Sequence, residues 1–278
     1  MTAFLFWNIN GKDLRPLVTE LAWRHDVDVL MLAESGIEAK ALLDTLNRAD
    51  GGGYEYFPGI GCKRIEVFAR FPREFVRTVE ETDRVTIRHL TPAGLTDIIL
   101  AIVHLPSKLY WDDASQAAEC CELSRVLRDV EGRLNHSRTV LVGDLNMNPF
   151  EDGVVGANGL HGVMSRQIAG GGSREVQHRQ YPFFYNPMWS LFGDETPGPP
   201  GTCYFANGTH KAFFWNMFDQ VLVRPDLLDR FDAREVRIIE SANGSRLVGP
   251  TGRRADRTKG ARRTTCRCTS HCDSRPVR

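Results

Sequence analysis

Four short stretches of this chain share one layout: an apolar run of strand length that stops at an amide, a carboxylate or an imidazole. They are Phe6-Trp7-Asn8-Ile9-Asn10-Gly11, Leu30-Met31-Leu32-Ala33-Glu34-Ser35, Ala101-Ile102-Val103-His104-Leu105-Pro106-Ser107 and Leu141-Val142-Gly143-Asp144-Leu145-Asn146. A fifth, Phe218-Asp219-Gln220-Val221-Leu222-Val223, places a carboxylate at the start of an apolar strand. In layered α/β folds side chains at strand ends converge beside loops, and ligands collect there. The pattern therefore asks for a sheet-based fold.

The rest of the chain agrees with that class. Short apolar runs alternate with amphipathic stretches, as in an α/β or mixed layered fold. Strands are expected at Phe4–Trp7, Val27–Ala33, Tyr54–Phe57, Ile65–Phe68, Val85–His89, Ile98–His104, Thr139–Val142, Phe218–Val223 and Val236–Glu240. Helical spacing marks Leu14–His25, Ala39–Leu46 and, as the longest helix, Asp112–Leu134. A turn is expected at Gly51-Gly52-Gly53, and the Gly-, Pro- and aromatic-rich stretch from Asn158 to Gly201 reads as long loops. There is no internal repeat.

Composition narrows the function classes. At 278 residues, 42% hydrophobic and 25% charged, the chain suits one large domain or two small ones with a sizeable core. No apolar run approaches the roughly 20 residues of a membrane span. The start, Met1-Thr2-Ala3-Phe4, lacks the basic flank and apolar region of a secretory signal, so a cytoplasmic protein is expected. Seven cysteines without a framework spacing argue against a disulfide scaffold. Formal net charge is zero, but Gly249–Arg278 holds eight Arg and one Lys against Asp256 and Asp273. That segment carries net +7 and leaves net −7 on the first 248 residues. An acidic body does not advertise the basic face of a sequence-independent DNA binder, although a local groove can still be basic.

The chemistry that this residue set suits is phosphoester hydrolysis. It needs a hard cation with oxygen ligands, an activated water and donors for the charge developing on phosphorus. Glu34 and Asp144 offer carboxylates, Asn8 and Asn146 amides, and His104 a donor or a proton. A Cys/His zinc site in the body is a poorer match. Each residue alone also has a plain reading: Asn8 as a turn residue, Glu34 as a loop cap, His104 as a structural histidine, Asp219 as a strand-start acid. Asp144 with Asn146 is harder to read plainly, because two polar groups directly after an apolar strand must be satisfied or used.

Taken together, the five segments resemble the endonuclease/exonuclease/phosphatase superfamily, of the exonuclease III and DNase I-like type. Asn8-Ile9-Asn10-Gly11, followed about two dozen residues later by the Glu34 strand, is similar to the start of exonuclease III, and Gly143-Asp144-Leu145-Asn146 to the superfamily's Gly-Asp-x-Asn signature. The likeness runs from about Ala3 to Lys259. It implies a four-layer sandwich of two packed mixed β-sheets flanked by helices, over residues 1–260. It also implies Mg²⁺, with Mn²⁺ as a substitute, held chiefly by Glu34 with Asn8 and Asp144. Asp144 would orient or deprotonate the attacking water, and Asn146 would donate to the phosphorane oxygens. His104 would contact the phosphate, and Asp219 would orient a histidine near the C-terminus. The implied function is nuclease action on nucleic acid by a monomer. The alternatives are a phosphatase or phosphodiesterase of a small phosphorylated metabolite or lipid head group, or a catalytically dead binding protein.

Substrate choice is expected to rest on the loops after Asn158. Tyr181-Pro182-Phe183-Phe184-Tyr185-Asn186-Pro187-Met188-Trp189 offers rings that either stack on bases or, the favoured reading, form a loop core. Arg166, Arg174, His178 and Arg179 could meet phosphates, and His210, Lys211 and Trp215 could line the mouth of the site.

The family closes with Ser-Asp-His-x-Pro, and this chain does not. From Ala261 it reads Ala-Arg-Arg-Thr-Thr-Cys-Arg-Cys, here taken as a disordered tail over 261–278. Zinc binding by Cys266, Cys268, His271 and Cys272 would be too compressed for an ordinary tetrahedral site, and a nucleic-acid-binding arm is a further reading. Arg262–Cys268 can be encoded as CGT CGG ACC ACC TGC CGC TGC. Read from the third base, the same bases give TCG GAC CAC CTG CCG CTG, which is Ser-Asp-His-Leu-Pro-Leu. We therefore expect DNA sequencing across the Lys259 codon to reveal a shifted frame; an undisturbed frame in independent clones would refute this.

Overall fold

The computed structural model describes residues 2–48, 52–94, 96–206, 208, 210 and 212–249, and the backbone of 265–270. In chain order the elements begin with β1 (Thr2–Asn8), α1 (Arg15–Arg24), β2 (Val29–Ala33), α2 (Ala39–Leu46), β3 (Glu55–Phe57) and β4 (Ile65–Ala69). Next come β5 (Val76–Glu81), β6 (Val85–Leu90), β7 (Ile98–His104), α3 (Asp113–Leu134) and β8 (Thr139–Asp144). The loop-rich part holds α4 (Asp152–Val155), β9 (Gly162–Val163), α5 (Arg166–Ala169), β10 (Ser173–Val176), β11 (Arg179–Pro182) and β12 (Phe184–Tyr185). The last are β13 (Cys203–Phe205), β14 (Phe214–Asn216), β15 (Asp219–Val223), β16 (Arg237–Ile239), β17 (Ser241–Ala242), β18 (Ser245–Arg246) and β19 (Thr265–Ser270).

Two large mixed sheets dominate. One has the order β16-β19-β1-β2-β4-β3, the other β5-β6-β7-β8-β15-β12-β9. In each, a central parallel pair (β1 with β2, β7 with β8) is flanked by antiparallel neighbours. The reason is local. A parallel pair needs a helical crossover, and the amphipathic stretches after β1 and β7 supply α1 and α3. Pro16 sits in the first turn of α1. The Asp112 carboxylate caps α3 by accepting the Ser115 N–H at 2.8 Å, and left-handed Asn135 (φ 57°) ends it.

Burial sorts into three layers of contact. Between the sheets lie Phe4, Phe6, Val29 and Met31 from one side, and Leu100, Ile102, Val140, Val142, Val221 and Val223 from the other. Helix α3 covers the outer face of the second sheet through Cys120, Leu123, Leu127 and Val130. Helices α1 and α2 cover the first through Val18, Leu21, Leu42 and Leu46. This is the expected helix–sheet–sheet–helix sandwich. Among the described residues no helix is long and apolar enough to cross a membrane.

Several strands were not foreseen. β5 reads Val-Arg-Thr-Val-Glu-Glu, without a two-residue period, lies on a sheet edge and buries only Val76, so its pattern is weak. The stretch expected as loops also contains the hairpin β10–β11 and the short helix α5. Thr265–Ser270, expected in a disordered tail, instead has strand backbone, inserted between β16 and β1 in antiparallel register with both. The place was open because β1 would otherwise be a long apolar sheet edge, which proteins cover. The glycine turn at Gly51, the 259–264 junction, His271 and Cys272 lie outside the described residues.

One buried ion pair ties α3 to Arg224, the residue after β15. Arg224 Nε meets Glu131 Oε1 at 2.8 Å, with both side chains nearly inaccessible. The Thr139 hydroxyl donates to the same oxygen at 2.7 Å, and the carbonyls of Pro182 and Phe183 accept from Arg224 Nη1. Removing one member of such a pair strands a buried charge. Glu131→Ala should lower unfolding free energy by about 3–5 kcal/mol in urea titration at pH 7; a loss below about 1 kcal/mol would show the pair to be dispensable.

Candidate active site

Alternate residues of a strand face one side, and four strands use that rule in the same way. Phe4 and Phe6 of β1 point into the inter-sheet core, and the next place in that series is Asn8. Leu100 and Ile102 of β7 lead to His104, Val140 and Val142 of β8 lead to Asp144, and in β15 Asp219 precedes Val221 and Val223. Register aligns the polar ends: His104 is opposite Asp144, and Asp144 is opposite Asp219. Asn8, His104, Asp144 and Asp219 are all buried. The site is the polar continuation of the core.

Across the gap the side chains meet. Asn8 Nδ2 donates to Asp144 Oδ2 at 3.0 Å and lies 3.5 Å from His104 Nε2. His104 Nε2 is 3.0 Å from Glu34 Oε1 and 3.8 Å from Asp144 Oδ2. The Asn146 N–H donates to Asp144 Oδ1 at 3.0 Å, and Asn146 Nδ2 donates to the Leu105 carbonyl at 2.8 Å. Asn8 Oδ1 accepts the Asn10 N–H at 3.0 Å. His104 Nδ1 is buried with no hydrogen-bond partner among the described residues. Glu34 differs from the rest: its side chain is 35% exposed. It thus offers the solvent-facing carboxylate.

Backbone geometry makes these contacts possible. Glu34 follows inward-facing Ala33 and takes a left-handed conformation (φ 47°), which turns its carboxylate back toward His104. Asn10 (φ 51°) and Asn146 (φ 51°) share that conformation, which asparagine tolerates better than most residues. Gly143 (φ 151°) is required for a second reason: a Cβ there would lie 2.0 Å from the Val103 carbonyl oxygen. Only a bare backbone lets β8 approach β7 at this level.

Supporting residues were missed by sequence reasoning. The Thr202 hydroxyl, buried, accepts the N–H groups of Phe218 and Asp219, each at 3.0 Å, and so fixes the start of β15. Asn148 Oδ1 accepts the Met217 N–H at 2.9 Å, while its Nδ2 donates to Glu151 and Asn216. Asn148 was detectable as the second amide after Asp144; Thr202 had no signal, since its partners are distant in sequence. Burial pushes the Cys203 thiol up to about 12, with the Asp219 charge adding to it, so this thiol stays protonated beside the site.

The loop residues divide. Phe183, Phe184, Tyr185 and Met188 join the cores, as the loop-core reading expected. Trp189 instead packs at 6.3 Å from Phe150, which also contacts Phe192 at 6.1 Å and Phe213 at 5.5 Å, forming a partly exposed aromatic rim beside Asn148. Trp215 pairs with Tyr204 in the β13–β14 hairpin. Arg166 is taken up by the carbonyls of Phe231 and Leu228 and does not face the site. Arg174, His178 and Arg179 are exposed on the β10–β11 hairpin, and His210 is exposed; Lys211 lies outside the described residues.

Comparison places this fold among known proteins. The model of the Endonuclease/Exonuclease/phosphatase family matches residues 5–241. No curated protein matches the chain. Among solved structures, the 3' phosphatase NExo from Neisseria bound to a product DNA hairpin is similar at TM-score 0.54 and 15% identity, covering 97% of this chain and 99% of that one. TDP2 from D. rerio with a single-strand DNA product is similar at 0.55 and 16%, covering 97% and 98%. An AP endonuclease from Archaeoglobus fulgidus gives 0.53 and 13%, covering 97% and 99%. These likenesses establish a shared fold.

The Gly143 contact generates a test. Gly143→Ala should cost more than about 3 kcal/mol in unfolding free energy, through the clash and the strained backbone together. A fully stable variant, measured by denaturant titration, would contradict the close approach of β7 and β8.

Proposed function

The chain belongs to the endonuclease/exonuclease/phosphatase family and is thus a phosphoesterase-type hydrolase, and from that premise we propose that it is a nuclease dependent on Mg²⁺ or Mn²⁺. The observation that carries the reading is the convergence of Asn8, Glu34, His104 and Asp144 at one inter-sheet end.

The donor set fits a hard divalent cation. Glu34, Asp144 and Asp219 bring three carboxylates against one imidazole, and the oxygen donors suit Mg²⁺ better than a soft metal. Glu34 would hold the ion from its solvent-facing position, with Asn8 and Asp144 beside it. Bound there, the ion supplies positive charge against the charge that develops on the phosphoryl oxygens.

The chain's own groups do the rest. Asp144, fixed through both oxygens by Asn8 and Asn146, orients the attacking water and accepts its proton. His104 exchanges its contact with Glu34 for the phosphate and donates to it. Asn146 keeps one amide hydrogen on Leu105 and offers the other to the phosphorane oxygens. Asp219 stands where the family's carboxylate would orient a closing histidine, and the Ser-Asp-His-x-Pro segment that carries that histidine is not in this sequence. Two relatives carry DNA products in their structures, which supports a nucleic acid substrate. The described cysteines Cys62, Cys120, Cys121 and Cys203 are free, in keeping with a reducing cytoplasm, and we take the protein as monomeric. The acidic body favours one second reading, a small phosphorylated metabolite or lipid head group as substrate.

Hydrolysis of single- and double-stranded DNA, with Mg²⁺ or with chelator, tests the proposal. Activity should need the cation and fall about 10²–10⁴-fold in Asp144→Asn. Restoring Ser-Asp-His-Leu-Pro after Ala261 should raise it. Polymer left intact by the restored chain, with release of phosphate from small esters, would replace nuclease by the second reading.

A further inference from the structure

The strands that deliver His104 and Asp144 also have starting ends, and these hold a second polar cluster. His89 lies near the end of β6, Asp97 directly precedes β7, and His136 lies just before β8. Seven residues of β7 separate Asp97 from His104's end, roughly 20 Å. His89 Nε2 and His136 Nε2 each lie 3.0 Å from the same oxygen, Asp97 Oδ2. One ligand atom from each of the three residues falls within 4.8 Å of the others, and the imidazole rings are 5.7 Å apart at 42°. Arg138 holds the other oxygen, Oδ1, and its Nε donates to the Asp97 carbonyl at 2.9 Å. The carboxylate is thereby oriented with Oδ2 toward the two rings.

We propose that His89, Asp97 and His136 form a binding site for a borderline divalent transition metal of the Zn²⁺ class, separate from the catalytic centre. Donors around a tetrahedral zinc ion stand about 3.3 Å apart, so the two short separations here need little change. Two imidazoles and a monodentate carboxylate leave a fourth position for water. Nitrogen ligands select Zn²⁺, Co²⁺ or Ni²⁺ over Mg²⁺, the reverse of the oxygen-rich site at the other end.

Two features set the selectivity further. The Arg138 backbone N–H donates to His136 Nδ1 at 3.2 Å, which leaves Nε2, 3.0 Å from Asp97 Oδ2, to carry the ring proton without metal. Binding at Nε2 moves that proton to Nδ1 and displaces the Arg138 contact. The Arg138 guanidinium also opposes a nearby cation. Only metals that bind imidazole strongly overcome both. The bound ion would join the starts of β7 and β8 to the end of β6, a structural staple on the two strands that carry His104 and Asp144.

The test uses the full chain carrying Glu34→Gln and Asp144→Asn, to weaken the catalytic centre, and Cys266→Ser, Cys268→Ser and Cys272→Ser, to remove tail thiolates. After treatment with chelator and addition of Zn²⁺, one equivalent should be retained, Tm should rise, and X-ray absorption should show nitrogen and oxygen ligands without sulfur. His89→Gln or His136→Gln should weaken zinc binding at least about tenfold. Glutamine keeps a donor for Asp97, so metal-free Tm should stay near that of the parent. Absence of bound zinc, or zinc binding indifferent to both histidine substitutions whatever their effect on Tm, would overturn the proposal.

Discussion

Side chains of a strand alternate between two faces, and the candidate active site of this molecule depends on that constraint. The inward series of β1, β7, β8 and β15 is apolar through the core and changes to Asn8, His104, Asp144 and Asp219 at one level. A one-residue slip in any of these strands would turn the polar group out to a helix layer and an apolar residue into the site. The inter-sheet packing that stabilises the fold thus also fixes the register of the polar cluster.

Burying these groups is costly, and the surroundings show how the cost is met. Asp144 and Asp219 are register neighbours with no exposed surface, an arrangement that like charges resist. Asn8, the Asn146 N–H and His104 converge on Asp144, while Thr202 and Asn148 hold the backbone that brings Asp219 beside it. Glu34, by contrast, stays half-open on a left-handed turn. The site pairs a rigid, desolvated interior with one accessible carboxylate, a suitable arrangement for a cation that arrives from solvent.

Much of this was legible in the sequence, for a physical reason. A buried strand must be apolar, so a polar residue at its end stands out against it; Asn8, Glu34, His104 and Asp144 were singled out in this way, and the structure brings them together through layered packing. Asp219 was less visible because an acid at a strand start is common. Thr202 and the aromatic rim around Phe150 act through partners distant in sequence, and no local pattern announces such contacts. Edge strands such as β5 bury too little to carry a clear period. β19 was hidden for another reason: Thr-Cys-Arg-Cys-Thr-Ser alternates only through its two cysteines and carries no motif, and the open edge of β1 gives it a place.

The central claim is that the polar inter-sheet end holds the catalytic cation. Anomalous diffraction from crystals soaked in Mn²⁺ tests it most directly. The account predicts a manganese peak at the Glu34 carboxylate, within coordination distance of an oxygen of Asn8 or Asp144, that disappears in Glu34→Gln. A peak elsewhere with none at Glu34, or one indifferent to that substitution, would contradict it.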